Sequence, residues 1–207
     1  MTRPNYDAAR ALARCAATLD GPSTPAPRLF AFTDPGRTPD PIALARCLPQ
    51  GAGLVFRTFG RADLASAAFE LAAIARARDL MFLVAGEPEL ALRCGAAGVH
   101  WPEARLSQAP HWRRRFAIMS ASAHSPGAAR RAASVCHLVF VSAVFASRSP
   151  SARRPLGPFR LAAYARRTAC AVYALGGISH KNAQRLNGLG ISGLAAVDGL
   201  SRPATRG

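Results

Sequence analysis

The chain has 207 residues, half of them hydrophobic and 18% charged. That length suits one domain with a sizeable core, and the balance excludes a disordered chain. Against 11 acidic residues stand 27 lysines and arginines, a formal net charge of +16, which would suit a polyanionic partner. No RNP, zinc-finger or helix-turn-helix signature accompanies the charge, so nucleic-acid binding is not expected. Lys181 is the only lysine, and the abundance of Ala with Arg points to codon bias as much as to selection for charge.

No apolar run approaches the roughly 18 residues of a membrane span, and Arg3, Asp7 and Arg10 stand where a signal peptide would have its apolar block. The expectation is a cytoplasmic protein without a membrane partner. Cys15, Cys47, Cys94, Cys136 and Cys170 are widely spread, with no CxxC pair. They read as small core hydrophobes in a reducing compartment, not as metal ligands.

In chain order, NYDAARALARCAATLD (residues 5–20) predicts a helix with Leu12, Cys15 and Leu19 on one face. The segment GPSTPAPR then breaks it. Residues 1–27 are therefore expected to form a helix and linker, capping the floor of a domain that fills 28–207. From Arg28 onward a unit recurs eight times: a short apolar run, a turn, then an Ala/Leu-rich helical stretch. The predicted strands are 29–33, 53–57, 81–84, 98–101, 116–120, 137–141, 171–175 and 193–197. Their near-continuous hydrophobicity suits strands covered on both faces. Helical patterns fill 41–48, 64–74, 87–94, 128–135, 158–167 and 180–189. Eight such units in this length favour a (β/α)8 TIM barrel with an extra N-terminal helix over a doubly wound open sheet.

In a barrel the chemistry sits just after each strand. After the seventh, Gly176 and Gly177 precede a helix expected to begin near Ser179, so their backbone N–H groups can approach a phosphate; the competing reading is a plain glycine turn before a Ser-capped helix. After the fifth come Ser122 and His124, an imidazole able to pass a proton without a metal, or equally a structural histidine. After the sixth, residues 142–157 form a long polar loop in which Ser147, Ser149, Arg148, Arg153 and Arg154 could hold phosphoryl oxygens or simply make a surface lid.

The strings FTD (32–34), GAAGVHW (95–101), SAHS (122–125), VFASRSP (144–150), PLG (155–157) and YALGGI (173–178), in this order and spacing, resemble the thiamine phosphate synthase and TenI family. The resemblance spans about residues 28–200. It implies a thiamine-biosynthesis barrel whose ligand is a phosphorylated thiazole. It also implies substrate contacts for Arg57, Ser122, Ser147, Ser149, Gly176 and Gly177.

The synthases of that family join a pyrimidine pyrophosphate to thiazole phosphate with Mg2+ assisting the leaving group, which demands hard oxygen ligands. Here the sequence departs from the family pattern. Its Gln-x-Arg-x-Lys appears as Val55 to Phe59, keeping only Arg57. The Asn-Asp pair falls on Ala85 and Gly86, the next aspartate on Arg105, and the loop lysine on Pro150. Glu87 and Glu103 lie near the vacated metal positions and are the alternative Mg2+ ligands. Asp198 stands where the family usually has a serine near the second phosphate loop, either repelling a bound phosphate or capping the short helix that follows.

The TenI branch aromatises a thiazole phosphate carboxylate by moving a proton, a role the resemblance passes to His124, with no cofactor required. His100, often present across the family, reads as barrel packing. The expected function is thus a diverged, metal-independent proton-transfer enzyme. Its rivals are a Mg2+-dependent synthase with relocated ligands and a non-catalytic phosphate-ligand binder. Whether the chain forms a homo-oligomer is left open.

Overall fold

The computed structural model describes residues 3–149 and 154–202. Eight parallel strands close into a barrel: β1 Leu29–Phe32, β2 Gly53–Phe56, β3 Met81–Ala85, β4 Gly98–Trp101, β5 Ile118–Ala123, β6 Leu138–Val141, β7 Ala171–Ala174 and β8 Gly193–Ala196. Closure is direct, with Leu29, Phe30 and Ala31 of β1 in register with Leu194, Ala195 and Ala196 of β8. The (β/α)8 barrel read from the alternating pattern is the fold observed.

Side chains alternate between two cores, as the strand period requires. Inward, Phe30, Phe32, Phe140 and Tyr173 fill the barrel edge to face, with ring centroids 5.3 Å apart for Phe30 and Phe140 and 5.6 Å for Phe30 and Tyr173. Gly53 and Gly193 open strands β2 and β8 because a Cβ there would enter the rings of Phe30 and Tyr173. Outward, residues such as Leu54, Phe56 and Val99 pack against the helices.

The helices among the described residues are α1 Tyr6–Ala17, α2 Pro41–Cys47, α3 Ala65–Ala77, α4 Pro88–Cys94, α5 Ala109–Trp112, α6 Pro126–Ala133 and α7 Pro158–Arg167. Several begin on local signals: Asp40 caps α2 and Ser125 caps α6, each followed by proline at the first helical position. The five cysteines are free. Among the described residues no helix is long and apolar enough to cross a membrane.

Two expectations are corrected. The stretch 180–189 forms only a 3-10 turn, Ala183–Leu186, since Asn187 leaves the helical region and Gly188 and Gly190 take positive φ angles of 75° and 72°. Nor does α1 cap the floor. It lies along the barrel wall against that turn and β1, in the place a helix after β8 would occupy. Asn5 N–H donates to Leu200 O (2.9 Å) at one end, and Gly21 N–H donates to Ile191 O (3.0 Å) beyond the other. Ala8, Ala9, Leu12 and Ala16 form its buried stripe, small enough for close approach. The linker crosses the floor instead: Thr24 Oγ1 lies 3.3 Å from the Tyr173 hydroxyl and Ala26 joins the inner core.

Candidate functional site

A cavity of about 1060 Å³ opens at the C-terminal ends of the strands. Its wall includes Arg57, Ser122, His124, Ser147, Ser149, Gly176 and Gly177, the seven residues singled out from sequence for catalysis or substrate contact, together with Glu103. Glu87 is not on that wall: its carboxylate accepts a hydrogen bond from the Thr58 hydroxyl. Pro150 and Arg153 lie outside the described residues.

The glycine turn is built by close approach. Gly176 and Gly177 take φ angles of 91° and 67°, and a Cβ on Gly176 would lie 2.7 Å from Ala143 Cα, while one on Gly177 would meet Ala146 O. The contact is sealed by Val144 N–H to Leu175 O and Phe145 N–H to Gly176 O, both 3.0 Å. No helix begins at Ser179. Instead Asn182 closes the turn, its Oδ1 accepting from Ser179 N–H (2.9 Å) and its Nδ2 donating to Gly177 O (2.8 Å). The second loop packs directly on the first, as a Cβ on Gly199 would strike Ile178 O.

Strand β5 runs to Ala123, three residues past its expected end at Ser120, so Ser122 belongs to the barrel and His124 stands at its rim. The His100 imidazole bridges Ser120 Oγ (3.0 Å, from Nδ1) and Ser122 Oγ (2.9 Å, from Nε2). Burial, with the Arg57 charge adding to it, pulls its pKa down to about 3, so the ring is neutral. It packs edge to face on Phe32. His100 is thus packing, as expected, but it also fixes the Ser122 hydroxyl on the cavity wall, a role visible only once β4 and β5 are paired. His124 is held differently: Glu103 Oε2 accepts from both its backbone N–H and its Nδ1, each at 2.8 Å. Ser147 Oγ accepts from Ser149 N–H (3.3 Å), which shapes the loop after β6.

On the opposite wall is a charged cluster. Arg57 Nε donates to Thr33 O (2.6 Å), and its guanidinium meets Asp34 Oδ2 at 3.2 Å beneath the Phe59 ring. Burial, partly offset by the Asp34 charge, lowers the Arg57 pKa to about 10, leaving it charged. Burial opposes the Asp34 charge too, but the Arg37 hydrogen bond and the charges of Arg37 and Arg57 hold its carboxyl below the usual range. Arg37 spans Asp34 Oδ2 (2.7 Å) and Asp198 Oδ2 (3.4 Å), while Arg148 reaches Asp198 at 3.5 Å. Asp198 therefore pairs with guanidiniums, an ion-pair role apart from both expectations, the phosphate clash and the helix cap.

Sequence reasoning missed Arg37, whose signal was its position five residues after β1 in an Asp-Pro-Gly-Arg turn, and Arg131, 4.0 Å from Glu103. Among the described residues the cavity wall carries the guanidiniums of Arg37, Arg57, Arg131 and Arg148 against the carboxylates of Glu103 and Asp198, with Asp34 paired to Arg37 and Arg57. It is a net basic chamber with an imidazole at one side, suited to an anionic ligand.

Among solved structures the chain is similar to thiamine phosphate pyrophosphorylase from Pyrococcus furiosus, at 22% identity and a TM-score of 0.66 over 82% of this chain and 85% of that one. The Bacteroides thetaiotaomicron thiamine phosphate pyrophosphorylase gives 18% identity and 0.57 over 87% and 88%. The YdjI aldolase from Escherichia coli K12, at 11% identity and 0.57 over 82% and 74%, shares the barrel alone. No curated protein matches the chain in sequence. The family described as thiamine monophosphate synthase matches residues 32–200, and the chain belongs to that family.

Proposed function

We propose that this chain binds a phosphorylated thiazole in the rim cavity and moves a proton on it through His124, without a metal. The observation that carries the reading is the convergence of His124, Ser122 and the Gly176–Gly177 turn on one basic cavity. The phosphate is assigned to the paired glycine loops, where backbone N–H groups replace its hydration. Ser147 and Ser149 would add hydroxyl contacts, and Arg57 faces the ring's remaining charge. Fixing the reacting carbon near the imidazole is the main requirement of such a transfer.

The side chains fit Mg2+ poorly. Glu87 lies off the wall and is bonded to Thr58, and one oxygen of Glu103 already accepts twice from His124. Among the described residues no three His, Cys, Asp or Glu side chains converge as a metal site. No step is therefore assigned to magnesium.

The test is thermal melting of the full chain with thiazole phosphate, with and without Mg2+ and pyrimidine pyrophosphate. Ligand at about a hundredfold over its Kd adds about 2.7 kcal/mol, or roughly 5 to 10 °C for a domain of this size. A shift of that order, equal in EDTA, is expected. No shift with any ligand, or a shift only with Mg2+ and pyrophosphate together, would overturn the reading.

A further inference from the structure

We infer that Glu103 is the positioning residue of His124, fixing the ring in its Nδ1–H form and turning the Nε2 lone pair to the cavity. The inference rests on the proton-transfer reading above. It begins from the double grip of one oxygen: Glu103 Oε2 accepts the backbone N–H and Nδ1 of the same histidine, both at 2.8 Å. A carboxylate oxygen can only accept, so Nδ1 must carry a proton. A neutral imidazole protonated at Nδ1 has its lone pair on Nε2, and no described residue bonds that atom.

Nothing in the chain order announces this pair. Glu103 stands two residues after β4 and His124 follows β5 directly, so the β4–β5 register brings two adjacent strand ends together. The second Glu103 oxygen lies 4.0 Å from Arg131 on α6, which adds a weak ionic hold on the carboxylate. Both side chains are about 30% exposed on the cavity side, accessible to a ligand.

The consequence is a direction for the chemistry. Nε2 first acts as a base: its lone pair takes a proton from a C–H of the ligand, and the electron pair of that bond passes into the ligand's conjugated system. The imidazolium formed is stabilised by the Glu103 carboxylate at Nδ1. The same proton then returns from Nε2 to another ligand atom, so nothing is gained or lost overall. The ligand class this selects is a carbon acid next to a delocalised ring.

The test combines a spectroscopic and a kinetic readout on the full chain. Long-range 1H–15N spectra of the 15N-labelled protein, recorded at alkaline pH, distinguish the two tautomers, and His124→Ala identifies the His124 signals among the five histidines. Wild-type His124 is expected in the Nδ1–H form. Glu103→Ala should lose that preference and lower kcat roughly 10- to 100-fold with KM little changed. Glu103→Gln, which keeps an accepting oxygen but no charge, should retain the tautomer with an intermediate kcat.

An Nε2–H ring in the wild type, or a tautomer unchanged by Glu103→Ala, overturns the inference whatever the activity. The expected tautomers without turnover by the wild type would instead overturn the proton-transfer reading and leave the orienting role of Glu103 in place.

Discussion

Asp198 Oδ2 lies 3.4 Å from the Arg37 guanidinium, joining the loop after β8 to the neighbouring loop after β1 at the cavity rim. With Arg148 at 3.5 Å on the same oxygen, one carboxylate draws on two cations of the cavity wall, although Arg37 is held by Asp34 as well. It also places a negative charge beside the second glycine loop. Asp198→Ser removes that competitor. Because the pair is partly exposed, the gain is modest: phosphate-ligand affinity should rise about fivefold, or about 1 kcal/mol. Isothermal titration of wild type and variant with thiazole phosphate at low salt checks this. Equal or weaker binding by the variant would contradict it.

The glycine turn predicts a second outcome. At φ 67° a side chain is strained, and a Cβ on Gly177 would collide with Ala146 O. Gly177→Ala should therefore cost about 1–3 kcal/mol in urea unfolding and weaken ligand binding by separating the loops after β6 and β7. Gly51→Ala has a similar φ of 73° but open space around it. It should cost less and leave binding unchanged.

His100 gives the pH dependence. Its folded pKa lies near 3 and its ordinary value is 6.5, so between those limits the unfolded chain binds a proton that the folded chain refuses. The contribution to stability is complete above about pH 6.5 and is lost as pH falls toward 3, at no more than about 1.4 kcal/mol per pH unit. Asp34, whose carboxyl is held below its usual 3.8, contributes above that value and loses its contribution only as pH falls below it. Urea titrations at several pH values should give His100→Gln a flatter stability profile than wild type between pH 6.5 and 4. Parallel profiles would contradict the buried, neutral assignment.

The Arg57–Asp34 pair predicts a fourth outcome. Asp34→Ala leaves Arg57 largely buried with its nearest carboxylate gone, a loss of about 3 kcal/mol by analogy with broken buried pairs. Asp34→Asn, which keeps the acceptor for Gly36 N–H at 3.1 Å, should lose less. An Asp34→Asn variant as stable as the wild type by chemical denaturation would show that the charge contributes nothing.

These features differ in how legible they are in the sequence. Strand runs such as 98–101 and the helix 158–167 are set by local apolar pattern and a proline start, and were read with the bounds observed. Strand β5 starts and ends later than the apolar run from Phe116 predicts, because the hydroxyls of Ser120 and Ser122 are satisfied by His100 inside the barrel. The stretch 180–189 has helical spacing, but Gly188 and Gly190 terminate it and α1, distant in sequence, covers the wall instead.

The site residues after β2, β5, β6 and β7 could be listed because barrel chemistry collects at strand ends. Their pairings could not. Glu103 with His124, and Asp198 with Arg37 and Arg148, depend on which loops become neighbours when the barrel closes. The same closure leaves Glu87 on Thr58 and off the cavity wall.

The central claim is most directly tested by following aromatisation of a thiazole phosphate carboxylate by NMR with the full chain in EDTA. Turnover without metal is expected, with a loss of about 100-fold or more in His124→Ala and ligand binding retained by the variant. Absence of turnover in wild type, or turnover unchanged by His124→Ala, would contradict it.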